Sequence, residues 1–207
     1  MVDQGIVGVA SADEGGLEQP ESGGERPQRA DARRNRERLV TSARQVFAEE
    51  GGGASMEAIA RQAGVGVGTL YRHFPQRIDI VEAVYLDDVD ELVRAAEEAV
   101  TDLEPWPAVV AFLEAFVRYA QRKRTFLNEL REAFDKNPEL RSLCRERIDD
   151  AMELVIDRAQ RAGVIRTDVG SADLIQLVMP MCTNASVTED QSTRLLAMIL
   201  DGLRAPS

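Results

Sequence analysis

The sequence has few of the residues that build catalytic or metal sites. Its 207 residues include two cysteines and one histidine. Cys144 and Cys182 cannot form a disulfide scaffold or, alone, a metal site. We expect buried, reduced thiols, with one intramolecular disulfide as the alternative. Because His73 is the sole histidine, a multi-histidine metal site is excluded and a histidine-based catalytic dyad has no other candidate.

Long hydrophobic runs are also missing. No apolar stretch approaches the roughly 18–20 residues of a membrane-spanning helix. The N-terminal stretch GIVGVA has no Lys or Arg before it, unlike a signal peptide. Hydrophobic residues at 44% and charged residues at 29% are ordinary for a globular protein. We therefore predict a cytoplasmic protein with a real core and no membrane partner.

Positive charge is scarce overall but concentrated in one region. The net charge is −11, and residues 1–25 carry six acids and no base. Residues 26–77 carry ten arginines against five acids, whereas residues 78–207 carry 15 bases against 25 acids. A basic segment between acidic flanks is typical of an anion-binding module, such as one that contacts nucleic acid.

Helical periodicity begins near residue 29, and no segment shows a persuasive strand pattern. Residues 1–28 are rich in Gly, Glu, Ser and Pro, which predicts a disordered acidic tail. We predict an all-α chain with an N-terminal three-helix domain over 29–76 and a C-terminal helical domain over 77–207. A long helix over 77–101 links the two domains.

The stretch GVGVGTLYRHF, residues 64–74, has glycine at alternate positions, as in some phosphate-binding loops. A dinucleotide fingerprint needs a preceding strand and a long following helix, but here a predicted helix precedes and barely two turns follow. The Walker pattern is also missing, so we predict no nucleotide cofactor. Two short helices joined by a glycine-containing turn indicate a helix-turn-helix. Gly64 would permit the turn, Gly66 relax it, and Gly68 allow close approach to a sugar-phosphate backbone. We expect Ser55 to cap the first of the two short helices. The side chains expected to pack both helices against the preceding one are Ala60, Val65, Leu70 and Phe74.

The segment ARQAGVGVGTLYRHFPQRIDIVEAVY, residues 60–85, resembles the DNA-binding domain of tetracycline-repressor-type (TetR) transcriptional regulators. The shared pattern is Ala-Gly-Val, then Gly-Thr-Leu-Tyr, then His-Phe and a basic residue that opens the next helix. The resemblance covers about residues 30–85. The later helices fit the ligand-binding and dimerisation domain of such regulators in outline, and the linker GVIRTD, residues 163–168, is similar too.

The resemblance implies a set of DNA-contacting residues. The positions that hold the DNA backbone in this family are matched by Thr69, Tyr71, His73 and Arg77. The positions that face base edges are matched by Val67, Gly68 and Arg72. Ser55 matches the position at a helix start that contacts phosphate. Val67 departs from the polar base reader of many relatives, and Glu57 stands where some carry arginine. We therefore hypothesise that Arg72 is the main hydrogen-bonding base reader. Further candidates for DNA contacts, with a solvated helix face as the alternative, are Arg33, Arg34, Arg36 and Arg38.

The C-terminal helices are predicted to hold an effector and a second copy of the chain. Candidate pocket residues, for which core packing is the alternative, are Trp106, Phe112, Phe116, Tyr119, Phe126, Phe134, Met152 and Met181. A helix from Ser171, interrupted at Pro180, and a last helix over 189–204 are expected to form a homodimer interface. A dimer would read a palindromic operator.

These observations predict a ligand-responsive DNA-binding transcriptional regulator, with repression favoured over activation. A small, partly apolar effector would release it from double-stranded DNA. The alternatives are a helical adaptor or small-molecule-binding protein without sequence-specific DNA binding, and a small helical enzyme. No catalytic constellation supports the enzyme, so we predict no enzymatic activity.

Overall fold

A computed structural model describes residues 25–205, with side chains from residue 30 onward. Within this range the chain is helical apart from short connections, which confirms the all-α prediction. The helices are α1 (Glu25–Glu50), a 3-10 turn (Gly51–Gly53), α2 (Met56–Gln62), α3 (Val67–His73), α4 (Arg77–Asp102), α5 (Pro105–Arg124), α6 (Leu127–Lys136), α7 (Pro138–Arg161), α8 (Ser171–Thr183) and α9 (Glu189–Leu203). One isolated bridge pairs Ile165 with Arg204.

The chain divides into two compact units, residues 1–34 and residues 35–207. The described part of the first unit is the start of α1, which begins at Glu25. Residues 25–28 are therefore helical, whereas the sequence predicted a tail up to residue 28. Pro27 lies in the first turn, where the missing N–H has no helical partner to lose. The rest of the predicted tail lies outside the described residues.

Within the second unit, α4 is the central helix and packs against α5, α6 and α7. Its buried stripe recurs at helical spacing because only one face meets the neighbouring helices; it includes Ile80, Val84, Leu92 and Ala96. One hydrophobic core runs from Leu39 in α1 to Leu203 in α9. Since the rings of Phe47 and Phe126 lie 5.6 Å apart, that core joins α1 directly to the helices that follow α4.

The predicted interruption at Pro180 is wrong. Helix α8 continues to Thr183 with Pro180 inside it. Pro180 is exposed, and the helix ends three residues later, where the Asn184 N–H donates to the Pro180 carbonyl at 3.1 Å. Pro180 has no N–H to donate to the carbonyl of residue 176, so one helical hydrogen bond is lost, but the helix continues past it to Thr183.

Candidate DNA-binding site

The turn between α2 and α3 is a Schellman motif, formed at the end of α2. The N–H of Val65 donates to the carbonyl of Ala60 at 3.0 Å, and that of Gly64 to Arg61 at 3.1 Å. Gly64 has a φ of 65°, a left-handed conformation that glycine adopts without steric cost. Gly66 has a φ of −68°, which other residues adopt equally well, so the conformational role predicted for Gly66 is wrong.

Helix α3 is held against α1 and α2 by apolar side chains on its inner face. Leu70 and Phe74 are buried, as the sequence predicted. From α1, the guanidinium group of Arg36 lies 5.2 Å from the centre of the Phe74 ring, and Arg38 donates to the carbonyl of Ala63 at the end of α2. Two of the four arginines proposed for DNA therefore also hold the helix-turn-helix together.

The outer face of α3 is open. Val67 and Tyr71 are 37% and 42% exposed, and Gly68 and Arg72 are exposed beside them. These residues are spaced four apart in two pairs, so they form one continuous surface. A Cβ added at Gly68 would meet no atom within 4 Å. The outer face of α3 is therefore exposed enough to contact a large ligand such as double-stranded DNA.

Arg72 is folded back on its own helix. Its Nε donates to the Gly68 carbonyl at 3.2 Å, and one Nη donates to the Thr69 hydroxyl at 3.3 Å. Thr69 and His73 are half-buried at the edge of the exposed face. Exposed hydrogen bonds of this kind are readily exchanged for others, so the Arg72 guanidinium can turn outward, and its contact with a base edge stays a prediction.

Ser55 caps the start of α2. Its Oγ accepts a hydrogen bond from the Ala58 N–H at 3.0 Å, as the sequence predicted. Because a serine hydroxyl also carries a donor hydrogen, the exposed Ser55 can cap the helix and donate to a phosphate at once. Glu57 is exposed in the first turn of α2, where a carboxylate stabilises the helix.

Arg77 has a structural role at the start of α4. Its two Nη groups donate to the carbonyls of Ala54 and Gly52, and its guanidinium lies 5.5 Å from the centre of the Phe47 ring. Arg77 thereby connects α4 to the loop before α2. Three of its five N–H groups remain for other partners, and the predicted contact with the DNA backbone stays a prediction.

The eight predicted pocket residues occupy different places. Trp106 lies beneath Arg204, whose guanidinium is 4.0 Å from the centre of its ring. Phe134 borders one cavity and Met181 another. The remaining five are in the core, each at most 2% exposed: Phe112, Phe116, Tyr119, Phe126 and Met152. Helical spacing identified them as inward-facing, but it could not separate core packing from cavity lining.

The cavity beside Phe134 has a volume of about 180 Å³ and lies among α4, α5, α6, α7 and α8. Sequence reasoning missed two of its main residues, Tyr85 and Lys123. Lys123 stands in the run Arg122-Lys123-Arg124, which resembles an ordinary solvated helix end. Its ammonium group instead lies over the rings of Tyr85 and Phe134, at 5.1 and 5.7 Å.

An ion cluster around the buried carboxylate of Asp88 connects α1, α4 and α5. Asp88 is 1% exposed, and its Oδ1 lies 3.0 Å from Arg44 Nε and 3.1 Å from Arg122 Nε. Both arginines also approach Glu91, at 3.3 and 3.4 Å. Burial raises the pKa of Asp88 to about 6, although the arginines favour the charged form. The cluster joins α1 of the helix-turn-helix to the helices that line the cavity.

A hydrogen bond between two tyrosines lies next to this cluster. The hydroxyl of Tyr119 donates to that of Tyr85 at 3.0 Å, and both side chains are buried. Burial raises the pKa of Tyr85 to about 12 and that of Tyr119 well above its usual value. Each tyrosine precedes a cluster residue by one helical turn, so the cavity and the ion cluster are adjacent.

A second, larger groove lies on α8 and α9. Its volume is about 500 Å³, and its walls are mostly apolar. Leu177 and Met198 in its lining are 55% and 69% exposed. Large apolar side chains exposed side by side are characteristic of interaction surfaces.

The fold and the exposed recognition helix define an all-α DNA-binding protein of the helix-turn-helix class. The family model described as bacterial regulatory proteins, tetR family, matches residues 39–84. A second model, described as the C-terminal domain of SbtR-like transcriptional regulators, matches residues 104–205.

Solved structures and curated relatives agree with these matches. A TetR transcriptional regulator from Streptomyces coelicolor is 35% identical, covers 83% of this chain and 99% of its own, and has a TM-score of 0.73. A TetR regulatory protein from Mycobacterium vanbaalenii is 34% identical over 86% of this chain and all of its own, with a TM-score of 0.70. The transcriptional regulator UidR of Escherichia coli is 25% identical over 84% of this chain and 92% of its own.

The chain belongs to the TetR family of transcriptional regulators. It is a DNA-binding regulator, which confirms the resemblance noted in the sequence. The family consists of regulators rather than enzymes, which confirms the prediction of a non-enzymatic protein. Among the helices between residues 25 and 205, none is long and apolar enough to cross a membrane.

Proposed function

We propose that the protein is a cytoplasmic, ligand-responsive repressor that binds a palindromic operator as a homodimer and leaves it when a small effector binds. The observation that carries this proposal is the outer face of α3. Val67, Tyr71 and Arg72 are exposed there on a helix whose opposite face is packed into the core. A helix held in this way can enter the major groove.

The predicted DNA contacts follow from this placement. Arg72 would donate to a base edge, and Val67 would offer an apolar contact, for example to a thymine methyl group. Tyr71, Thr69 and His73 would contact the sugar-phosphate backbone. Gly68 allows the helix to approach closely, and Ser55 and Arg77 would add phosphate contacts from the starts of α2 and α4.

Dimerisation would use the apolar groove on α8 and α9. Leu177, Leu195 and Met198 expose large apolar side chains on this one surface, and regulators of the family typically dimerise. In a dimer with twofold symmetry, the same apolar surface of the second copy would cover this one. Two recognition helices would then meet two half-sites, which is the reason to expect a palindromic operator.

Coupling between effector and DNA would pass through α4. This helix starts at Arg77, which is bonded to the loop before α2, and it carries both Tyr85 of the cavity and Asp88 of the ion cluster. An effector that binds one position of α4 more tightly would shift the population towards that position. By linkage, the effector would weaken operator binding by the same factor by which bound DNA weakens effector binding. The division into domains at residues 76 and 77 is part of this proposal.

The experiment is to find and then weaken an operator. DNA upstream of the chain's own gene is footprinted with the purified protein, and affinity is measured by fluorescence anisotropy. We expect Arg72→Ala to bind the protected sequence about 10- to 100-fold more weakly, with little change on unrelated DNA. Tyr71→Ala should also weaken binding. The matched control is Arg94→Ala, an exposed arginine on α4 bonded only to its own helix.

Unchanged sequence-specific binding by both the Arg72 and Tyr71 variants would contradict the assignment of the site. A missing footprint at physiological salt would favour the adaptor alternative.

A further inference from the structure

The cavity beside Phe134 contains a positive charge without a balancing partner. The ammonium group of Lys123 faces the rings of Tyr85 and Phe134, and in the described part of the chain no carboxylate lies within ion-pair distance of it. Burial lowers the pKa of Lys123 to about 8. Lys123 is half-buried, and a cation that is partly removed from water without a counterion is costly.

The other lysine of the chain shows the contrast. The sequence has two lysines, and Lys136 is exposed and paired with Glu132 at 2.7 Å, one turn earlier on α6. Lys136 is an ordinary surface residue. Lys123 is an exception, and perturbed, unpaired ionisable groups in clefts are characteristic of binding sites.

Two arginines add to the positive charge at the same cavity. Arg141 and Arg145 lie one turn apart on α7, and both border it. Arg145 is 3.8 Å from Asp149, whereas Arg141 has no ion pair with any described residue. Three cations therefore meet a single carboxylate at the cavity.

The remaining walls are apolar, including Phe134, Ile148 and Met179. The volume of about 180 Å³ is below the roughly 300–1,000 Å³ of sites for drug-sized ligands. The walls and the volume together suit a molecule of about one ring or a short alkyl chain.

We propose that this cavity binds a small organic anion, whose charged group pairs with Lys123 and Arg141 and whose apolar body packs against Phe134 and Ile148. A carboxylate would supply the missing counterion and would accept charge-assisted hydrogen bonds from both side chains. The proposal deepens the proposed function, since it names the chemical class of the effector, but anion binding itself can be tested without DNA.

The position of the site connects it to the DNA-binding helices. Lys123 follows Arg122 directly, and Tyr85 precedes Asp88 by one turn of α4. Asp88 is paired both with Arg122 and with Arg44 of α1. An anion that pairs with Lys123 would act beside the only ion cluster that joins α1, α4 and α5 within the described residues.

The test uses the two lysines as internal probe and control. The full-length protein is labelled with ¹³Cε-lysine, and NMR spectra are recorded during titration with benzoate or hexanoate. We expect the Lys123 signal to shift saturably with at least one of these anions and its apparent pKa to rise, since a nearby anion favours the charged amine. The Lys136 signal should not shift. Benzamide and hexanamide, which match the shapes without the charge, should leave Lys123 unchanged.

Calorimetry on variants gives an independent measurement. Lys123→Met should weaken binding of the effective anion about 10- to 100-fold, and Arg141→Gln should weaken it by a smaller factor. Lys136→Met is the matched control and should bind as the unmodified protein does.

The proposal is overturned if neither carboxylate shifts Lys123, if the neutral amides shift it equally, or if Lys123→Met binds unchanged. An equal effect of inorganic phosphate would overturn the organic part of the assignment. If an anion binds at Lys123 but does not change the operator affinity, the anion site is supported and ligand-responsive regulation is refuted. A chain that binds anion but no DNA would refute the proposed function alone.

Discussion

Helices α1–α3 and helices α4–α9 place their charged side chains differently. In α1–α3 the arginines stand mainly at the surface, as Arg36, Arg38 and Arg72 do. In α4–α9 a carboxylate, Asp88, is fully buried, and Lys123 faces two aromatic rings. Surface charge stays solvated, so it can attract a polyanion at little energetic cost. A buried charge is costly unless it is paired: Asp88 has Arg44 and Arg122 as partners, whereas the half-buried Lys123 has no ion-pair partner among the described residues.

The largest expected effect concerns Asp88 and pH. Because burial raises the pKa of Asp88 from 3.8 to about 6, its contribution to stability is fully present below pH 4 and is lost as pH rises through 6. Relative to Asp88→Asn, the unmodified protein should lose roughly 3 kcal/mol of unfolding free energy over this window. Urea denaturation followed by circular dichroism at several pH values measures it.

Arg44, Arg122 and Glu91 remain around position 88 in both proteins, so their titration largely cancels in the comparison. Parallel pH profiles for the two proteins would mean that the two arginines offset burial and leave the pKa of Asp88 at its ordinary value. In that case Asp88 would behave like a surface carboxylate, and the contrast between the two regions would disappear.

A smaller effect is expected in the turn between α2 and α3. Gly64→Ala should lower the unfolding free energy by about 1–2 kcal/mol, because a Cβ is strained at the left-handed φ of 65°. The added carbon would also lie 3.3 Å from the guanidinium of Arg38. Thermal and urea denaturation measure the change.

Gly66→Ala is the matched control in the same turn. Its φ is −68°, and an added Cβ meets no atom within 4 Å, so the change should stay within about 0.5 kcal/mol. Equal destabilisation by both substitutions would contradict the assignment of the left-handed position to Gly64 alone.

The smallest effect separates capping from DNA binding at Ser55. Ser55→Ala should cost about 1 kcal/mol because the Ala58 N–H loses its acceptor. Ser55→Asp retains the cap and should preserve stability, yet its charge should weaken DNA binding if this position faces phosphate. Denaturation and anisotropy are measured on both variants, and unaltered DNA affinity of Ser55→Asp would place Ser55 away from the backbone.

The features that were predicted correctly depend on near neighbours in the chain. The Ser55 cap, the Gly64 turn and the inward packing of Leu70 and Phe74 each involve residues within a few positions of one another. Helical propensity and capping act over the same short range. The motif from Gly64 to Phe74 therefore indicated both its local structure and its family.

The predictions for the C-terminal region were less complete because they required knowledge of distant neighbours. Phe112 and Phe116 were correctly taken as inward-facing, but periodicity cannot show whether a cavity lies beside them. Arg77 was assigned to DNA, and nothing local indicated that it would bond to the carbonyls of residues 52 and 54.

By itself, the sequence determined the helical fold, the helix-turn-helix and the surface that α3 exposes, because these follow from spacing, caps and turn chemistry within single segments. Only the tertiary structure decided that Asp88 is enclosed by arginines from two other helices, and that Lys123 lies over aromatic rings from α4 and α6. Burial and charge pairing arise from residues far apart in the chain. The local sequence around a charged residue on a helix is therefore the same whether its side chain is solvated or packs on an aromatic ring.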